Sequence, residues 1–169
     1  MHTAYHGQVW CFERLWLPSP SGRRRLNVLG ALDALTKELV TITNDTTISA
    51  PSICELLTQL AARSDGLPIT VVLDNARYQK CALVETCAAD LGIELLYLPS
   101  YSPQLNLIER LWRWLRKQCL YGRYYSTFAT FCAALTSCLA NAHVQHRAKF
   151  EDLFSWSFQS FTNVKLLPA

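Results

Sequence analysis

Asp74 and Glu109 are the residues of this chain whose type and spacing best suit chemistry. Asp74 ends an apolar, β-prone run, Ile69-Thr70-Val71-Val72-Leu73, and Asn75-Ala76-Arg77 follows at once. Glu109 comes 34 intervening residues later, behind Ser102-Pro103, in the run Leu105-Asn106-Leu107-Ile108-Glu109-Arg110-Leu111-Trp112. One carboxylate closing a strand and another on the border of an apolar helix face are hard oxygen donors for a divalent cation. Such sites serve phosphodiester chemistry. A third carboxylate normally completes the cage, and the chain does not plainly supply one. Each residue also has a structural reading. Asp-Asn is turn chemistry. Asn106-x-x-Glu109 has the spacing of a capping box, and Glu109 with Arg113 that of an i,i+4 ion pair.

The elements that must position the pair follow from local patterns. Residues 8–17 are aromatic and β-prone, and Pro18–Gly22 is a turn. Leu26–Ala31 and Glu38–Thr43 read as an antiparallel hairpin around the turn Asp33–Lys37. A helix follows, with Ser49 or Ser52 as cap, Pro51 in its first turn, and Ile53, Leu56, Leu57 and Leu60 at helical spacing. Gly66-Leu67-Pro68 breaks it. Ile69–Asp74 is a continuously apolar strand, which predicts burial on both faces. Gln79–Leu91 reads as a helix stopped by Gly92, and Ile93–Leu98 as a second buried strand. The loop Pro99–Pro103 then delivers the Glu109 helix, with Ser102 as its cap and Pro103 in its first turn. On that helix Ile108, Leu111, Trp112, Leu115 and Cys119 form the apolar stripe. Two further helices are expected at Phe128–Ala142 and Phe150–Phe158. A hairpin followed by β-α-β predicts a mixed sheet with helices on its faces. Ligands in such folds collect at the carboxyl ends of parallel strands, where Asp74 stands.

Composition narrows the class. A chain of 169 residues, half of them apolar and 17% charged, fits one globular domain with a real core. No apolar run reaches the roughly 20 residues of a membrane helix. The N-terminus lacks the pattern of a signal peptide, so a soluble, cytoplasmic protein is the expectation. Seven cysteines without a C-x-x-C pair read as small buried hydrophobes rather than zinc ligands. His143-x-x-His146 has no cysteine partners and reads as a surface or helix-end feature. The net charge of +3 is modest, but Arg23-Arg24-Arg25 and Arg110, Arg113, Arg116 and Lys117 are clustered. Local basic patches permit a nucleic-acid partner.

Two blocks together carry a family resemblance. They are Val72-Leu73-Asp74-Asn75-Ala76-Arg77 and Leu98-Pro99-Ser100-Tyr101-Ser102-Pro103-Gln104-Leu105-Asn106-Leu107-Ile108-Glu109-Arg110-Leu111-Trp112. They closely resemble the catalytic domain of mariner-like bacterial insertion-sequence transposases. In that family the second and third members of an Asp-Asp-Glu triad are 34 residues apart. The segment from Ser21 to Asp33 is similar to the family's first hairpin.

The resemblance implies a ribonuclease-H-like α/β domain over residues 1–169 with its first strand missing or truncated. It implies Mg²⁺ (or Mn²⁺) dependent DNA cleavage and strand transfer, with Asp74 and Glu109 as metal ligands. Arg23, Arg24, Arg25, Arg113, Arg116 and Lys117 become candidates for phosphate contacts, with a solvated surface as the other role open to each. DNA, as transposon ends and target, is the implied partner, together with a homodimer or completion by an upstream reading frame. The family's first Asp aligns upstream of Met1. Asp33, at the hairpin turn, is a poor substitute for it, and Asp45 lies nearer the expected edge. Against the family's pattern, no helix-turn-helix segment is expected within these residues ahead of the domain. Two readings stay open: a cleaving fragment of a larger transposase, and an inactive domain that keeps the fold and only binds DNA or a partner protein.

Overall fold

The computed structural model describes residues 24–100 and 102–155. The β-prone run 8–17, the turn 18–22 and Arg23 lie outside the described residues. Two strands come first, β1 (Asn27–Leu32) and β2 (Leu39–Asn44), paired antiparallel with Gly30 opposite Thr41. Between them Asp33 builds the turn: its Oδ1 accepts the N–H groups of Leu35 (2.7 Å) and Thr36 (2.9 Å). Helix α1 (Ala50–Ala61) is capped by Ser49, with Pro51 in its first turn.

Strand β3 (Ile69–Leu73) pairs in parallel with β4 (Ile93–Tyr97) across α2 (Ala82–Asp90). The second helix thus starts three residues later than its sequence suggests. The backbone N–H groups of Gln79 and Lys80 both turn back to the Ala76 carbonyl, which holds this stretch as a turn. Beyond β4 come α3 (Leu107–Cys119), α4 (Phe128–Gln145) and α5 (Arg147–Leu153). The last helix begins before Phe150 and ends before Phe158, because Phe150 and Phe154 are its inward stripe rather than its limits. No described helix is long and apolar enough to cross a membrane.

The antiparallel-then-parallel order expected of a mixed sheet is present. Among the described residues, however, the two strand pairs are not hydrogen-bonded to each other. They share an interior instead. Leu29 of β1 joins the cluster of Ile53, Leu57, Val84, Ala88 and Ile93 between α1, α2 and the parallel pair. Val28 and Leu32, on the other face of β1, pack against the larger cluster of Leu111, Leu115, Phe131, Leu135 and Phe150. Strand β1 therefore carries packing contacts on both faces, as strand alternation allows. The six described cysteines all pack against these two clusters or within them, the behaviour of small apolar side chains.

One expectation is corrected. Ile69 and Val71 face the α1–α2 cluster, but Val72 and Leu96 are 45% and 53% exposed. The parallel pair is covered on one face only by the described elements, because α1 and α2 both pack on that side.

Gly30 ties the hairpin to α3. A Cβ placed there would sit 2.9 Å from Cη2 and 3.2 Å from Cζ2 of Trp112. That ring is itself packed against the larger cluster, so it cannot swing aside freely. Gly30→Ala is expected to cost about 1–3 kcal/mol through overpacking, read as a lower midpoint in urea unfolding. An unchanged midpoint would mean that the Trp112 ring is not held against β1.

Candidate functional site

Strand β3 ends at Leu73, whose carbonyl accepts the N–H of Leu98 (2.8 Å) just past the end of β4. Asn75 Nδ2 donates to the Leu98 carbonyl, so the exits of the two parallel strands are tied together. Asp74 stands between these ties and is exposed. Its Oδ1 accepts the N–H of Ala76 (3.0 Å), which orients the carboxylate, and among the described residues no hydrogen bond engages the other oxygen. The turn chemistry that offered a structural reading of Asp74 is thus real, and it aims the group as well.

The approach of α3 differs from the sequence expectation. Pro103–Leu105 forms a single turn of 3-10 helix, and Asn106, not Ser102, is the cap of α3. Asn106 Oδ1 accepts the Ile108 N–H (3.2 Å), satisfying a donor that helix geometry leaves orphaned. This shift to a later cap puts Glu109 in the first turn, half-buried, where a carboxylate is favoured by the helix dipole. Among the described residues no capping bond and no ion pair engages the Glu109 carboxylate. Neither structural reading of that residue is realised there.

The two acidic residues share a cleft. Asp74, Asn75, Leu98, Ser100, Asn106 and Glu109 line one cleft of about 310 Å³. A second cavity, of about 350 Å³, shares Glu109 and is bounded by Asn27, Trp112 and Arg116. Glu109 is therefore the partition between them. Tyr78 lies close to Asp74: its phenol is held above the ordinary 10.0 by burial and then by the Asp74 charge.

The other candidates separate. Arg116 shares the second cavity with Glu109, and Arg113 and Lys117 are exposed on the same helix. Arg25 donates from Nε (3.0 Å) and Nη2 (2.6 Å) to the Thr46 carbonyl, and Arg24 stacks on the Phe128 ring at 4.3 Å. Both line neither cavity, and both hold the chain in place. Arg110, adjacent to Glu109, turns the opposite way and donates to the carbonyls of Leu153 (3.1 Å) and Ser155 (2.9 Å). Asp33 belongs to its turn, and the charge of Asp45 is felt at Cys132 on α4. Neither lines the Asp74 cleft. His146 sits at the junction of α4 and α5 with its ring edge-on to Trp114, a helix-end role.

The donor set suits a hard divalent cation: two carboxylates with amide and hydroxyl oxygens beside them. A magnesium-sized ion is commonly held by one or two carboxylates together with substrate phosphates. Among the described residues no group of three His, Cys, Asp or Glu side chains gathers at one point. Asn106 and Asn75 are the site residues that sequence reasoning undervalued. Their signal was position, immediately before a helix and immediately after a strand.

Comparison with known proteins bears on the fold and the family. No curated protein matches the chain at a significant level. A crystal structure of the Mos1 mariner paired end complex with Mn has the same fold, with a TM-score of 0.60 at 13% identity. The likeness covers 91% of this chain and 51% of that one, so the chain spans about half the length of that protein. The shared fold is the ribonuclease-H-like domain expected from the sequence. The family model described as "DDE superfamily endonuclease" matches residues 6–132, and the chain belongs to that family.

Proposed function

We propose that this chain is the catalytic domain of a mariner-like transposase, and that Asp74 and Glu109 hold Mg²⁺ or Mn²⁺ for cleavage and joining of DNA. One observation carries the reading: two carboxylates far apart in sequence line a single cleft beside the exits of two parallel strands. Family membership supports DNA transposition as the process, and the similar structure, a paired end complex with Mn, supports the metal. Two bare carboxylates repel a phosphodiester. The cleft therefore needs a cation before it can take its substrate, and a bound divalent ion supplies the Lewis acidity for in-line displacement at phosphorus.

The chain's own groups do the positioning. The Ala76 N–H fixes the Asp74 carboxylate, and the Asn106 cap fixes the first turn that carries Glu109. The Arg116 guanidinium, across Glu109 from the cleft, offers a phosphate contact that steadies the scissile strand. Transposon ends and target DNA are the partners of this reading. A homodimer would bring two such domains together on those partners.

The test is Mn²⁺ binding to the protein in the presence of a DNA end, followed by electron paramagnetic resonance. Glu109→Gln is expected to weaken binding at least about tenfold, because it removes one of two ligand charges. Equal Mn²⁺ affinity in the two proteins would overturn the assignment. Metal and DNA binding without any cleavage by the unaltered protein decides for the second reading, an inactive domain that keeps the fold.

A further inference from the structure

We propose that the end of α3 and the loop behind it form a binding surface for an unpaired stretch of DNA leaving the carboxylate cleft. This rests on the reading of that cleft as a DNA-cutting site. The first observation is charge segregation. Between Arg110 and Phe150 the chain carries seven lysines and arginines and no aspartate or glutamate, although the net charge of the whole chain is only +3. Four of the seven, Arg113, Arg116, Lys117 and Arg123, are exposed along α3 and just beyond it. Arg113 and Arg116 follow Glu109 at i+4 and i+7, on one side of the helix. They stand about 6 and 10 Å along the axis from the carboxylate. At about 3.4 Å of rise per nucleotide along one strand, that is two to three nucleotides.

The second observation is aromatic. The chain leaves α3 in a tight turn in which Leu120 and Tyr121 both donate to the Arg116 carbonyl, at 2.9 and 3.0 Å. Gly122 follows with φ +69. Three tyrosines surround this turn and divide by role. Tyr125 points inward: its hydroxyl donates to the Cys119 carbonyl (2.7 Å) and its ring meets Phe131 edge-on. Tyr121 and Tyr124 are 49% and 47% exposed, with exposed Arg123 between them. Among the described residues neither ring contacts another aromatic or a cation, and neither hydroxyl has a hydrogen-bond partner.

A single exposed aromatic needs no explanation. Two that flank an arginine at the end of a cationic row supply both components of single-strand recognition: phosphate attraction and base stacking. Stacking favours unpaired DNA over duplex, because only unpaired bases present open faces. It also distinguishes DNA from an acidic protein, which would need the cations but not the rings.

The test is fluorescence anisotropy of the whole chain with a labelled oligothymidylate and with a duplex of equal length, at low and moderate salt. Tyr121→Ala with Tyr124→Ala is expected to weaken single-strand binding by about 10- to 100-fold while leaving duplex binding and the salt slope unchanged. Tyr121→Phe with Tyr124→Phe should bind like the unaltered protein, since stacking is retained. Arg113→Ala with Lys117→Ala should lower the salt slope by about one to two. Single-strand affinity unchanged in the double alanine variant, or an equal loss on both DNA forms, would overturn the proposal. Asp74→Asn keeps full single-strand binding if the surface is separate from the cutting chemistry, so failure of the catalytic reading shows in cleavage and failure of this one in binding.

Discussion

Asp74→Asn is expected to abolish the metal-dependent strand cleavage proposed for this domain, with a loss of at least about 10³-fold. The expectation rests on what the substitution leaves alone. Asn is isosteric with Asp, and its Oδ1 can still accept the Ala76 N–H that orients the residue. The ties between the strand exits, from Leu98 to Leu73 and from Asn75 to Leu98, do not involve the Asp74 side chain. The fold and the cleft should therefore persist, and what disappears is one of the two carboxylates proposed to hold the cation. Several kcal/mol of charge stabilisation in the transition state depends on a cation held there, and each 1.36 kcal/mol is tenfold in rate. The measurement is the rate of nicking of an end-containing duplex with Mn²⁺, with unfolding midpoints compared as a control. Cleavage by Asp74→Asn at the unaltered rate would remove Asp74 from the metal site. Glu109→Gln should behave in the same way, because Glu109 lines the same cleft and is bonded to no described partner.

Much of the site was legible because its residues are dense in information. A strand that ends in Asp-Asn and a helix that opens behind Pro-x-x-Asn each constrain where a carboxylate can go. What the sequence hid was decided by local competition. Ser102 and Asn106 both had the chemistry of a cap. The 3-10 turn at Pro103–Leu105 postpones the helix, and Asn106 makes the capping bond. A row of four cations at 110, 113, 116 and 117 looked like one patch. Helical rotation sends Arg110 to the carbonyls of Leu153 and Ser155 at the end of α5 and leaves the other three outside. The continuously apolar β3 looked doubly buried, yet its partners α1 and α2 lie on one face. Such outcomes depend on which neighbours arrive, and strand composition does not encode the neighbours. Arg24 and Arg25 show the same limit, since stacking on Phe128 and bonding to Thr46 are long-range events.

Phe150→Ala is expected to destabilise the protein by about 3–5 kcal/mol, the usual cost of emptying a fully buried aromatic site. Phe150 is completely buried and stands between two rings, Trp114 at 5.0 Å and 83° and Phe154 at 5.0 Å and 68°. Both geometries are edge-to-face, which adds to the area term. Its position makes the loss more than local. The α5 helix is only seven residues long, too short to persist without tertiary contacts. Its anchors include Phe150, the adjoining Phe154, Leu153 and the two carbonyl bonds from Arg110. Removing the central ring frees α5, uncovers Trp114 on α3, and loosens the helix that presents Glu109. Urea unfolding followed by tryptophan emission should show the midpoint falling, with emission shifted to the red before the main transition. A loss below about 1 kcal/mol would show that α5 lies outside the cooperative unit, and that the Glu109 helix is held by α4 and the hairpin alone.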